Sequence, residues 1–98
     1  MAEKVKANVY AVNVIDTDTN AVKKQLYVFK NDSTLTLTSE PTEGDWIDIS
    51  NLSETPSPII ARNGKKILGI AEDLVIDKAY VGFRLVYTGV TYGWTIIG

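Results

Sequence analysis

Residues 34–51 read TLTLTSEPTEGDWIDISN, and the fold class is decided inside this stretch. Leu35 and Leu37 alternate with Thr34, Thr36 and Thr38, and ten residues after Leu37, Ile47 and Ile49 alternate with Trp46, Asp48 and Ser50. A period of two places alternate side chains on opposite faces of an extended chain, so each segment predicts a half-buried strand. Between them, SEPTEGD supplies the Pro, Gly, Asp and Ser that a chain reversal requires.

The same period extends outward in both directions. YVGFRLVYTG (80–89) sets Phe83, Leu85 and Tyr87 against Gly82, Arg84, Val86 and Thr88, and TYGWTIIG (91–98) sets Tyr92, Trp94 and Ile96 on one side. Toward the N-terminus, NVYAVNVI (8–15) and KQLYVFK (24–30) predict two strands around a DTDTN turn. Both are apolar on both faces: Tyr10, Val12 and Val14 alternate with Val9, Ala11 and Ile15, and such strands need cover from a second layer or a second chain. NAVKKQL and GIAEDL could each form a helical turn, but their β-branched and aromatic neighbours favour strand. The expectation is one all-β domain over residues 1–98, an antiparallel meander or sandwich.

At 98 residues the chain can bury roughly 60–70% of the surface it exposes when unfolded, enough for a real core. No run approaches the roughly 20 apolar residues of a membrane-spanning helix, and MAEKVKANVY lacks the apolar segment of a secretory signal. No membrane partner is expected. Ten basic residues against twelve acidic ones, without a basic stripe, give no footprint for nucleic acid.

The chain contains neither His nor Cys. That removes the commonest bases, the thiolate nucleophiles and the usual zinc ligands, along with any disulfide framework; it fits synthesis in a reducing compartment. The reading is a non-enzyme with no catalytic residues, no cofactor and no metal site. Asp16, Asp18 and Asn20 alternate like the start of a calcium loop, but neither the sharp-turn glycine nor the closing glutamate follows, so they read as a solvated turn. Glu43 and Asp45 flank Gly44 and read as turn chemistry.

ARNGKKILG (61–69) places Asn-Gly between PIIAR and KKILG. A phosphate-binding loop would feed a helix, whereas this feeds a strand; Asn63-Gly64 suits the two positive-φ positions of a type I′ hairpin turn. Arg62, Lys65 and Lys66 are then a charged tip in solvent or a basic contact with an acidic partner. Gly69, inside the pattern, reads as a bulge or a close backbone approach. Among the large aromatics, core packing, a subunit interface and sugar stacking all use the same amphipathic rings. Trp46, Tyr92 and Trp94, with the three basic residues, are the candidate subunit or partner interface.

The ordered segments TLTLTSEPTEGDWIDISN, IIARNGKKILGIAEDLVID and FRLVYTGVTYGWTII resemble a module of tailed-bacteriophage virion proteins, found in capsid decoration proteins and in fibre or tail components. The matching positions are Leu35, Leu37, Pro41, Gly44, Asp45, Asn63, Gly64, Ile67, Gly69, Glu72, Asp73, Leu74, Leu85, Tyr87, Gly93 and Trp94. The match spans residues 34–98 and leaves 1–33 outside. The resemblance implies an all-β homotrimer of the β-tripod type without enzymatic activity, bound to a virion. A chain running from Met1 to Gly98 around one module suits a free-standing decoration protein on the capsid surface, with the major capsid protein as partner. The alternatives are a small tail, baseplate or fibre component, or a carbohydrate-binding module.

Overall fold

The computed structural model describes residues 11–54 and 57–98. The expectations for Val9 and Tyr10 lie outside them. The described chain is all-β and forms nine strands: β1 Val12–Ile15, β2 Thr19–Asn20, β3 Leu26–Phe29, β4 Thr34–Thr36, β5 Trp46–Asn51, β6 Ile59–Ala61, β7 Leu74–Val75, β8 Gly82–Tyr87 and β9 Trp94–Ile97. Among the described residues no helix is long and apolar enough to cross a membrane.

Two mixed sheets form, one of five strands in the order β1-β3-β5-β8-β9 and one of four in the order β2-β4-β6-β7. The antiparallel meander is corrected here. β1, β3 and β5 are mutually parallel, as are β2, β4 and β6, and the chain places them alternately in one sheet and then the other. Parallel neighbours need a long crossover. Here each crossover is a trip through the opposite sheet, so the first six strands wind as a flattened coil. Only β7 on β6, β8 on β5 and β9 on β8 pair antiparallel.

The core lies between the sheets. β5, central in its sheet, alternates half-buried and buried residues along its whole length, and its Ile47 and Ile49 meet the inward residues Tyr27, Phe29, Leu85, Tyr87 and Trp94 of the same sheet. Leu35 and Ile60 face them from the second sheet. Burying one such side chain is worth about 1.5–3 kcal/mol, so the alternation read from sequence is also the main source of stability.

The corners are held by short side chains bonding to backbone. Asn51, buried at the end of β5, accepts the Ser53 amide at 2.8 Å and donates to the Lys78 carbonyl at 3.0 Å. Asn31 accepts the Ser33 amide and donates to the Asp16 carbonyl. Buried loop backbone needs such partners because water cannot reach it.

Asn63 and Gly64 adopt φ of 50° and 91°, as the turn reading expects. Lys65 donates its amide to the Arg62 carbonyl at 3.3 Å, and Asn63 Nδ2 ties the turn to the Leu37 carbonyl at 2.9 Å. The hairpin arms, however, are not partners. β6 pairs with β4 and β7, while Ile67 bridges to Ile70 and Trp94. The turn is local chemistry; the pairing is decided by what lies across the core.

Candidate functional site

The expected site residues do not form one site: Tyr92 and Trp94 line a common groove, Arg62 and Lys65 share a turn, and Trp46 lies apart on the outer face of the five-stranded sheet. Of the readings open for Trp94, the structure takes core packing: it is 0% exposed and packs edge-on against Tyr87, with ring centroids 5.4 Å apart. Its Nε1 finds no hydrogen-bond partner among the described residues. Arg62 is half-buried and folds back over its own turn, donating from Nη1 to the Lys65 carbonyl at 3.1 Å while its amide donates to Asp73 Oδ1. Lys65 is half-buried and Lys66 exposed. Tyr92 is 67% exposed on the turn before β9.

Trp46 belongs to a different surface, the outer face of the five-stranded sheet. The pairing registers align Val12, Leu26, Asp48, Arg84 and Ile97 in one row across all five strands. A neighbouring row holds Val14, Val28, Ser50 and Gly82. Val12, Val14 and Ile97 are each more than half exposed, so this sheet presents aliphatic side chains at both margins of a face that in a monomer meets water. At its centre Arg84 lies 4.0 Å from the Trp46 ring centroid and forms two hydrogen bonds with Asp48. The guanidinium is thus neutralised and stacked, which leaves the middle of the face without net charge.

β1 adds an edge. Within the described residues only β3 pairs with it, and its sequence VNVI carries none of the charges or prolines that usually blunt an exposed edge. The two-sided apolar pattern read in this segment therefore resolves into one inward residue, Ile15, and two outward valines.

Two of the turn carboxylates serve the backbone. Asp45 Oδ2 accepts the Thr42 amide at 2.7 Å and Asp18 Oδ1 the Thr34 amide at 2.9 Å. Among the described residues, no three His, Cys, Asp or Glu side chains come together as a metal site. Sequence reasoning missed the Asp48–Arg84 pair. Both residues were legible as outward-facing, but only the β5–β8 register makes them neighbours.

A groove of about 390 Å³ lies beside the turn before β9, lined by Leu68, Thr88, Tyr92, Trp94 and Thr95. A smaller cleft of about 250 Å³ opens beside Leu74, Val81, Phe83 and Ile96, with Asp77 and Lys78 also in its lining. No protein-family model and no curated protein sequence matches the chain.

Proposed function

We propose that this protein is a non-enzymatic structural component of a tailed-phage virion, a homotrimer that decorates the assembled capsid by binding the major capsid protein. The observation that carries the reading is the outer sheet face, where Val12, Val14 and Ile97 remain more than half exposed around a neutralised Asp48–Arg84 pair. The resemblance of its segment order to the virion module supports it, as does a side-chain inventory lacking His and Cys.

Five strands at about 4.8 Å spacing and four residues of strand give a face of roughly 300 Å². A stable interface takes about 800 Å² per partner, so subunit contacts in a trimer must extend onto the β1 edge and the corners beside it. Copies bound to an assembled shell, and not to its disassembled parts, stabilise it by mass action. The gain is about 2.7 kcal/mol per site at a hundredfold excess over the dissociation constant.

Phage heads stripped of the protein are expected to release DNA at a lower temperature and to recover in a concentration-dependent way when it is restored. Labelled protein found on tails alone, or heads whose heat resistance is unchanged at saturation, would favour a tail, baseplate or fibre component instead.

A further inference from the structure

The groove beside the turn before β9 is framed by backbone hydrogen bonds. The 66–69 segment and the turn before β9 are joined by three backbone hydrogen bonds: Leu68 to the Trp94 carbonyl at 2.7 Å, Gly69 to the Tyr92 carbonyl at 2.7 Å, and Trp94 to the Lys66 carbonyl at 2.9 Å. Gly93 sits so close to this segment that a Cβ there would stand 1.8 Å from the Lys66 carbonyl oxygen. Above this seam the Tyr92 ring is 67% exposed and passes near Gly69, where a Cβ would lie 3.5 Å from Cδ1. Leu68 holds the opposite wall at φ 53°, a conformation unfavourable for leucine, with half its surface in solvent.

The lining chemistry selects the ligand. None of the five lining residues is charged, so the lining itself offers no counter-charge to phosphate or carboxylate. Tyr92 and Leu68 offer apolar surface, and Thr88, Thr95 and the Tyr92 hydroxyl offer neutral hydrogen-bonding groups. Thr88 Oγ1 already donates to the Gly93 carbonyl at 2.8 Å, so toward a ligand it accepts. A volume near 390 Å³ falls in the range of small-molecule sites. We infer that this groove binds a neutral sugar unit of a glycan, one ring face stacked on Tyr92 and its hydroxyls reaching the two threonines. This goes beyond the capsid reading and does not depend on it.

The test is a titration of the ¹⁵N-labelled protein, followed by amide shifts, with the methyl glycosides of glucose, galactose and mannose and with N-acetylglucosamine. At least one should give saturable shifts confined to Leu68, Thr88, Tyr92, Thr95 and their neighbours, with a dissociation constant of about 1 mM, as expected for so small a ligand. Tyr92→Ala should keep the fold, because the ring is largely exposed, and weaken binding about tenfold. Tyr80→Ala removes an equally exposed ring outside the groove and should leave binding unchanged. Absence of saturable shifts with all four sugars, shifts mapping elsewhere, or equal losses in the two tyrosine variants would overturn the assignment.

Discussion

Asp48 and Arg84 stand directly opposite each other on β5 and β8, joined by Nε–Oδ1 and Nη2–Oδ2 hydrogen bonds of 2.6 and 3.0 Å. The carboxylate is largely shielded, while the Arg84 side chain is 42% exposed. In a single chain solvent therefore screens the pair, so in the non-associating Val14→Glu protein Arg84→Ala should cost only about 0.5–1.5 kcal/mol, part of it from lost stacking on Trp46. Urea denaturation measures this; the same substitution in the associated parent protein should cost more, because the subunit contact excludes water from the pair, and equal losses in the two backgrounds would take the pair out of the interface.

Self-association should depend on the outer sheet face. Val14→Glu places a charge where the side chain is already 58% exposed, so the monomer fold should survive. Light scattering should report three-chain mass for the parent protein at micromolar concentration and one-chain mass for the variant. One-chain mass for the parent would remove the trimer itself.

Glycine substitutions should separate strain from collision. Gly64 has φ 91° and open space around a notional Cβ, so Gly64→Ala should cost about 1 kcal/mol, and Gly64→Val more. Gly93→Ala combines φ 75° with a backbone clash and should cost about 3 kcal/mol or more. Comparable melting temperatures for the two alanine variants would refute the packing described between Gly93 and Lys66.

Lys24 is exposed and adopts φ 64° in the turn leading to β3. Lys24→Gly relieves that strain while adding freedom to the unfolded chain, with an expected net gain between about 0 and 1 kcal/mol. A clear loss in thermal denaturation would reveal a role for the lysine side chain.

Tyr80 donates its hydroxyl to Glu54, and this hydrogen bond, followed by the repulsion between the carboxylate and a phenolate, raises its pKa above a tyrosine's ordinary value. The folded state thus favours the protonated phenol. Its contribution to stability is complete below about pH 10, the unfolded tyrosine's pKa, and is lost as pH rises through the higher folded value. Ultraviolet difference titration of the parent protein against Tyr80→Phe should show Tyr80 ionising late, and Glu54→Gln should bring it back toward the ordinary range. An unchanged titration in Glu54→Gln would exclude the carboxylate as the cause.

Much of this protein is determined locally. Alternation at Leu35–Leu37, Ile47–Ile49 and Phe83–Leu85–Tyr87 was enough to place those side chains toward the core, because a period of two has one physical outcome in an extended chain. The positive φ at Asn63 and Gly64 was equally legible, since few residues tolerate it. Strand partners were not, because pairing is chosen among distant segments by which arrangement buries the inward faces together. A parallel coil and an antiparallel meander share the same alternation, so only the tertiary structure decided that β1, β3 and β5 run together and that the arms around Arg62–Lys65 part. The same non-local choice took Trp94 into the core, left Tyr92 two residues away in solvent, and brought Asp48 to Arg84.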